Sequence, residues 1–353
     1  MYNEFYGFSK DPFLIVPDPN YLYMSPKHEE ALARLAFGIK RRRAIMLLTG
    51  EVGAGKTTLI RYIVSHLPAS VHAAAIANSN LDAETLLRMI LAEFGQTAAP
   101  DADKSILIKG LQAYLERLIS QNRRGLLIID EAQNLPLDAL EEIRMLSNFQ
   151  VKTQSLLQIL LVGQPELRAR LKDPRCLQIA QRIALNYHIA ALSMEETRAY
   201  ILYRLQRSGG SQQLFTADAL DMVFRLSRGI PRSINLVCDS ALIYGFSEEI
   251  RVINSQTVSQ AAKQLDLMGL VNAEGGGSAA SAAPPTAAKG NGDARAIVEG
   301  ILGLEDSLAS FMDDLRQESK KICEQTGIVH GSASKLSAAL EKLLDRGKGP
   351  KVG

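Results

Sequence analysis

The chain has 353 residues, of which 46% are hydrophobic and 22% charged, and its formal net charge is +2. These values are typical of a folded protein with room for two domains, and they exclude nucleic-acid binding driven by net charge alone. The cysteines, Cys176, Cys238 and Cys323, are far apart and form no CxxC pair, which excludes a cysteine-based zinc site and suits a reducing compartment.

The sequence contains no apolar run of about 18 residues, so no segment is predicted to span a bilayer. The opening MYNEFYGFSKDPF lacks the charged-then-apolar layout of a signal peptide. We therefore expect a cytoplasmic protein, or one that is peripheral at the inner membrane through a partner.

Short apolar runs alternate with helical patterns in residues 1–193. The predicted strands are residues 44–49, 72–77, 126–130, 156–162 and 187–190, and the predicted helices are residues 56–66, 83–94, 104–121 and 137–150. The runs at 126–130 and 156–162 are apolar on both faces, as in a parallel sheet that helices cover. This region is predicted to be an α/β sandwich.

Residues 194–268 show helical patterns only and are predicted to form a small all-α lid domain. Its helices are expected at residues 194–208, from a cap at Thr216 to Arg228, at residues 232–244, and after a cap at Asn254 or Ser255.

The remaining residues divide into a linker and a tail. Residues 269–292 are rich in Gly, Ala, Ser and Pro and are predicted to be a flexible linker. Residues 293–347 carry apolar side chains at steps of three and four, which predicts an amphipathic helix. That helix either pairs with itself or a partner, or packs back on the body.

A phosphate-binding loop is predicted between the first strand and the first long helix. Residues 50–57, GEVGAGKT, fit the pattern GxxxxGK[ST] without a mismatch. Glycines let successive N–H groups turn toward an anion, and Lys56 and the Thr57 hydroxyl would contact the β- and γ-phosphates and Mg²⁺. The expected ATP contacts are Gly50, Glu51, Val52, Gly53, Ala54, Gly55, Lys56, Thr57 and Thr58.

Two acids follow the apolar run at 126–129. Asp130 is placed to hold Mg²⁺ together with Thr57, and Glu131 is placed to orient and deprotonate the attacking water. The alternative is a pair of strand-end carboxylates that face solvent, which the loop upstream makes less attractive.

With these motifs, the chain resembles the AAA+ family, and within it the secretion-pathway ATPases of the ExeA/GspA type, including those of exosortase (PEP-CTERM) and MSHA pilus gene clusters. The resemblance covers residues 1–268. The segments that carry it are FYGFSKDPF (5–13), PDPNYLYMS (17–25), HEEALA (28–33), IIDEAQNLP (128–136), GQPEL (163–167) and QRI (181–183).

The resemblance implies roles for further residues. Gln164 matches the sensor-1 position beside the γ-phosphate, although many relatives have Asn or Thr there. Arg232 matches the sensor-2 arginine at the head of a lid helix and would contact ATP. Arg182 matches an arginine finger that reaches a neighbouring subunit, with Arg175 as the rival, so a homo-oligomer is implied.

The function that this resemblance implies is ATP hydrolysis in support of envelope export: secretion, surface-polymer assembly or pilus biogenesis. A membrane or export-system partner would bind the tail. The alternative is a DNA-bound ATPase of the transposition-helper or initiator type, which the near-neutral charge does not favour. The basic run Lys40–Arg43 fits either contact with nucleic acid or acidic lipid, or a favourable interaction with the carboxyl end of a helix. Phe13, Pro17 and Tyr21 either close over the adenine or pack the edge of the domain.

Overall fold

The computed structural model describes residues 2–14, 23–77, 79–151 and 154–266. The predicted linker (269–292) and tail (293–347), together with Pro17, Tyr21 and Cys323, lie outside the described residues. Within the described ranges, no helix has the length and apolar character needed to cross a bilayer.

Seven strands are found in the described residues: β1 (Ile45–Gly50), β2 (Val71–Ile76), β3 (Arg124–Ile129), β4 (Gln150–Val151), β5 (Gln154–Ser155), β6 (Leu157–Gly163) and β7 (Ile183–Ile189). Five of them form one parallel sheet in the order β2-β3-β6-β1-β7. The short β4 and β5 form a separate antiparallel pair. All residues of the central strands β1 and β6 are buried, which explains their continuous apolar runs.

The described residues also contain twelve α-helices: α1 (Tyr2–Tyr6), α2 (Pro26–Lys40), α3 (Lys56–Ser65), α4 (Ala83–Glu93), α5 (Lys104–Ser120), α6 (Leu137–Leu146), α7 (Pro165–Arg170), α8 (Leu177–Ala180), α9 (Met194–Arg207), α10 (Ala217–Ser227), α11 (Pro231–Ser247) and α12 (Ser255–Asp266). Helices α4, α5 and α6 pack their apolar faces into one core with the sheet. The predicted parallel α/β sandwich followed by an all-α region is confirmed, whereas the exact domain limits stay a prediction.

Several element boundaries differ from the prediction, among them those of β7, α6 and β3. The last strand begins at Ile183 rather than at residue 187, because β7 is an edge strand whose side chains alternate between covered and exposed and therefore form no continuous apolar run. Helix α6 ends at Leu146 and not at residue 150, since the chain turns there into the β4–β5 pair. Strand β3 ends at Ile129, so Asp130 is the first residue beyond it.

The four helices α9 to α12 enclose a second apolar core. Ser193 and Glu196 form a reciprocal capping box at the start of α9. Thr216 is the N-cap residue of α10, as predicted, but its hydroxyl donates to the carbonyl oxygen of Ile253 at 3.2 Å and accepts no hydrogen bond from a helix N–H. Of the two candidate caps for α12, Asn254 serves, because its Oδ1 accepts from the amide of Thr257 at 2.9 Å.

Residues 2–14 belong to this second core, a feature that the sequence did not predict. Tyr2 donates its hydroxyl to Asp239 at 2.7 Å, and Nε of Arg204 donates to the carbonyl oxygen of Pro12 at 2.6 Å. Phe13 is 1% exposed and packs edge-on against Phe215. Phe13 therefore follows the packing alternative.

Candidate active site

The loop between β1 and α3 is tightly folded around two glycines. Gly53 and Gly55 have φ values of 79° and 90°, in the left-handed region where a side chain is unfavourable. A Cβ atom on Gly53 would lie 2.4 Å from Cβ of Arg232, and one on Gly55 would lie 3.0 Å from Nε2 of His28. The loop thus has the conformation and the close neighbours that a cradle of backbone N–H groups for phosphate requires.

The amine of Lys56 lies inside this loop. Its side chain is 5% exposed, and Nζ donates to the carbonyl oxygens of Gly50 at 2.8 Å and Glu51 at 2.9 Å. Burial lowers the pKa of Lys56, while the nearby carboxylates of Glu131 and Asp130 act in the opposite direction. A buried amine held only by neutral carbonyl groups is suited to binding an anionic group in the same loop.

Thr57 and Asp130 are brought together from α3 and the end of β3. The Thr57 hydroxyl donates to Oδ2 of Asp130 at 2.8 Å, and Oδ1 of Asp130 accepts from the backbone N–H of Glu131 at 2.9 Å. A hydroxyl and a carboxylate oxygen in contact are the hard oxygen donors that Mg²⁺ prefers. The residues present therefore fit the Mg²⁺ site that the sequence predicts.

Glu131 lies beside this pair and is held by two amide side chains. Its Oε2 accepts hydrogen bonds from Nε2 of Gln133 at 2.5 Å and Nε2 of Gln164 at 3.0 Å. Burial raises the pKa of Glu131, but these two hydrogen bonds and the charge of Lys56 outweigh it, and the pKa is lowered overall. The carboxylate is therefore ionised at neutral pH and has the protonation state of a general base.

Gln164 reaches Glu131 because β6 and β3 are adjacent strands. It follows β6 directly and begins α7, and its backbone N–H donates to Oε1 of Gln133 at 3.1 Å. Gln133 thus joins both residues, and Nη1 of Arg170 donates to its carbonyl oxygen at 2.5 Å. The sequence reasoning missed Gln133, although it stands two residues after Glu131 in the motif IIDEAQNLP.

Arg232 connects the loop with the helical region. It lies in the first turn of α11, and its backbone N–H donates to the carbonyl oxygen of Gly53 at 3.3 Å. Its side chain is exposed beside the loop. The structure therefore brings the predicted sensor-2 residue to the phosphate loop.

Comparison with known proteins identifies the domain that carries this geometry. The model of the AAA domain family matches residues 39–171. The chain carries an AAA domain. General secretion pathway protein A of Aeromonas hydrophila is 42% identical over 265 residues, which are 75% of this chain and 48% of the relative. The chain thus spans about half the length of that relative. The predicted AAA domain and the predicted likeness to this secretion protein are confirmed.

Solved structures of low sequence identity share the fold of the AAA domain and the helices that follow it. The Aeropyrum pernix ORC2 protein aligns with a TM-score of 0.55 and 20% identity over 73% of this chain and 72% of its own. CDC6P from Pyrobaculum aerophilum aligns with a TM-score of 0.55 and 16% identity over 70% and 71%. At these identities the likeness concerns the fold alone.

The two candidate finger arginines, Arg182 and Arg175, lie beyond the matched AAA domain residues. Arg182 directly precedes β7, and Ile183 pairs with Ile45 at the amino end of β1, whereas the loop follows the carboxyl end. Seven residues of strand at about 3.3 Å each separate the two ends by roughly 20 Å. Arg182 therefore does not reach the loop of its own chain. Arg175 is held by Asp173, with Nη2 2.8 Å from Oδ2.

His28 contacts the loop of the AAA domain from the other side, and the sequence analysis assigned it no role. It lies in α2, is 4% exposed, and places Nε2 3.1 Å from the carbonyl oxygen of Ala54 and Nδ1 2.7 Å from the Ser25 hydroxyl. Burial lowers the pKa of His28, which favours the neutral ring. In that state Nε2–H donates to Ala54 and Nδ1 accepts from Ser25. Only its place in the segment HEEALA hinted at importance.

Proposed function

We propose that the chain is an ATPase whose hydrolysis cycle supports export across the cell envelope. The observation that carries the catalytic part is the contact network at the carboxyl ends of β3 and β6, where Thr57 meets Asp130 and Gln164 meets Glu131. The export part is supported by the likeness to General secretion pathway protein A.

Each residue of the network has a distinct task in this proposal. The backbone of residues 50–58 and the Lys56 amine bind the phosphates of ATP. Thr57 and Asp130 hold Mg²⁺, which neutralises phosphate charge when bound. Glu131 accepts a proton from the attacking water, and Gln164 keeps the Glu131 carboxylate ionised and oriented through its hydrogen bond.

The lid and a neighbouring subunit complete the proposed cycle. Arg232 is positioned at the loop by the contact between its N–H and Gly53, so a change in the bound phosphates would be felt at the start of α11. Arg182 lies about 20 Å from its own loop by strand length and would therefore act on a neighbouring copy, which requires an oligomer. A membrane or export-system protein is the proposed partner, with the protein at the inner membrane through that contact.

Two variants of the full chain test the catalytic part. Lys56→Ala should lose ATP binding in calorimetry, because the buried amine is the cation that the loop provides. Glu131→Gln should bind ATP with near-normal affinity but turn it over about 10²- to 10⁴-fold more slowly, the usual contribution of a general base. Unchanged affinity in the first variant, or near-normal turnover in the second, would contradict the assignment.

The export part requires a cellular test. Cells that lack the gene should retain surface or secreted products that wild-type cells export, measured by proteomics of the medium and by surface-polymer staining. The wild-type gene should restore export and Glu131→Gln should not. Normal export without the gene, or restoration by Glu131→Gln, would reject the export role and leave the ATPase assignment intact.

A further inference from the structure

The segments at the amino ends of the sheet strands carry positively charged side chains and no negatively charged ones. In the sequence, the segments that lead into β1, β2, β3, β6 and β7 contain no Asp or Glu; these are residues 41–44, 66–70, 121–123, 147–156 and 181–182. The acids of the site, by contrast, lie at the carboxyl ends. We define the basic edge by the described cations at the amino ends of β1 and β3: Lys40, Arg41, Arg42, Arg43, Arg123 and Arg124.

Acidic side chains near the basic edge do not cancel it. Glu93 ends α4, which packs on β2 at one margin of the sheet, and Glu116 lies on α5. These two carboxylates offset at most two of the six positive charges of the basic edge. The stretch from β3 across β6 to β1 has no acid in its leading segments. A positive surplus therefore remains in the middle of the sheet edge.

Contact with helix ends accounts for only a small part of this charge. Helix α2 ends at Lys40, and the carboxyl end of a helix carries about half a negative charge. Lys40, Arg41, Arg42 and Arg43 place four positive charges at that single end. The helix end thus offsets only a small part of the charge of this run.

Arg124 shows that the cations crowd one another. Its Nε is buried and has no hydrogen-bond partner within the part of the chain that the structure describes. Burial lowers the pKa of Arg124, and the charge of Arg42 lowers it further. The two residues stand at strands separated by β6, about 10 Å apart at the usual strand spacing. An anionic group at this edge would relieve both the repulsion and the unpartnered donor.

Apolar side chains border the same edge. Val64 near the end of α3 is 37% exposed, Val151 in β4 is 38% exposed, and Leu177 at the start of α8 is 52% exposed. Helices α3 and α8 precede β2 and β7, and β4 is followed by β5 and then by β6. Aliphatic groups gain from entering the headgroup region of a bilayer, whereas the sugar–phosphate surface of a nucleic acid offers them little.

We propose that the basic edge binds the anionic lipid surface of a membrane. The proposal rests on the proposed role at the envelope and adds a direct lipid contact to it. Because the edge is opposite to the phosphate loop, binding leaves the ATP site and the lid accessible. Arg182 lies at the amino end of the outer strand β7, on the same side of the sheet as the basic edge. It contacts the neighbouring subunit in the proposed function, so the lipid surface and the subunit surface would be adjacent.

The test is flotation of the full chain with vesicles of phosphatidylglycerol and phosphatidylcholine, beside vesicles of phosphatidylcholine alone. The chain should float with the anionic vesicles only, and less so as salt is raised. A triple variant, Arg41→Gln, Arg42→Gln and Arg43→Gln, should bind roughly 100-fold more weakly, since each basic residue contributes about fivefold. Its ATP turnover should stay unchanged.

The matched control removes three arginines elsewhere, Arg34→Gln, Arg88→Gln and Arg198→Gln, which are ion-paired on α2, α4 and α9. It has the same net charge as the triple variant and should bind vesicles like the wild type. Equal loss in both variants, or no binding to anionic vesicles, would overturn the proposal. So would tighter binding to a duplex DNA than to vesicles, with loss in the same triple variant.

The tests of vesicle binding and of ATP hydrolysis can contradict the two proposals separately. Lys56→Ala should float like the wild type, because the loop lies at the opposite edge of the sheet. A wild-type chain that floats but does not hydrolyse ATP would contradict the proposed function alone, and one that hydrolyses ATP but does not float would contradict this inference alone.

Discussion

The contact between His28 and the phosphate loop predicts a specific loss of ATP affinity. Replacing His28 by alanine removes the only side chain that the described residues place against the Ala54 carbonyl oxygen, and it also leaves the Ser25 hydroxyl without its ring partner. Both groups are deeply buried, since Ala54 is 2% and Ser25 0% exposed. Both groups therefore lose their protein partner at a place that bulk water does not reach in the wild type.

The size of the effect follows from the unsatisfied carbonyl. A buried polar group without a partner costs about 1–3 kcal/mol. The Ser25 hydroxyl can rotate, but the Ala54 carbonyl is fixed by the backbone, so at least one such penalty is expected. Each 1.4 kcal/mol changes an equilibrium constant tenfold, so the population of the loop conformation that binds ATP should fall by roughly 5- to 150-fold. The dissociation constant for ATP should rise by up to that factor.

Two conservative variants separate the loop contact from a general packing role. The amide nitrogen of glutamine stands as many bonds from Cα as Nε2 of histidine, whereas that of asparagine matches Nδ1. His28→Gln should therefore keep most of the ATP affinity in calorimetry, and His28→Asn should resemble His28→Ala. Equal affinities of the two amide variants, or a His28→Ala chain that binds ATP like the wild type, would refute the reasoning.

The burial of His28 also predicts that the free energy of unfolding depends on pH. Burial lowers the pKa of His28 below its ordinary value of about 6.5, so the stabilising contribution is complete above that pH and is lost as pH falls toward the folded-state pKa. The pKa values of His72 and His188 are also lowered, mainly by burial, and both stay in the variant. The difference in unfolding free energy between wild type and His28→Gln, measured with urea at pH 7.5 and 5.5, therefore reports His28. An equal loss in both chains would contradict the burial argument.

Three further predictions concern the loop, the base and the finger. Gly53→Ala should lower the free energy of unfolding by about 1–2 kcal/mol, measured by urea titration, because Gly53 has a left-handed backbone conformation. It should also weaken ATP binding, because the added Cβ atom would collide with Arg232. The control Gly110→Ala, in open space on α5, should instead raise the free energy of unfolding by roughly 0.5–1 kcal/mol. Gln164→Ala should raise the pKa of Glu131, so the acidic limb of the turnover–pH profile should move to higher pH; an unmoved limb would separate Gln164 from the base. Arg182→Ala should lower ATP turnover by about 10³-fold or more. Mixing with Lys56→Ala chains should restore activity, because those chains supply an intact Arg182 to the neighbouring site. Arg175→Ala should have a small effect, and the reverse pattern would make Arg175 the finger.

The parts of the fold that the sequence predicted are those with one dominant physical signal. Strands β1, β3 and β6 are buried on both faces, so continuous apolar runs revealed them within one or two residues. Strand β7 is half covered, and its first residues, from Ile183, carry a weaker alternating signal that the prediction missed. The packing of residues 2–14 against the helical core is a long-range contact, and nothing in local periodicity encodes it.

The site shows the same division between local motifs and contacts across the chain. The loop and the acids at 130 and 131 were found because glycine spacing and strand-end carboxylates are local patterns. Gln133 and His28 were missed because amide and imidazole side chains act here through single contacts, to Glu131 and to the Ala54 carbonyl, that depend on how β3 and α2 lie beside the loop. These contacts set the protonation of Glu131 and the shape of the loop. The local motif thus predicts which residues would contact ATP, and the side chains around it set their geometry and charge.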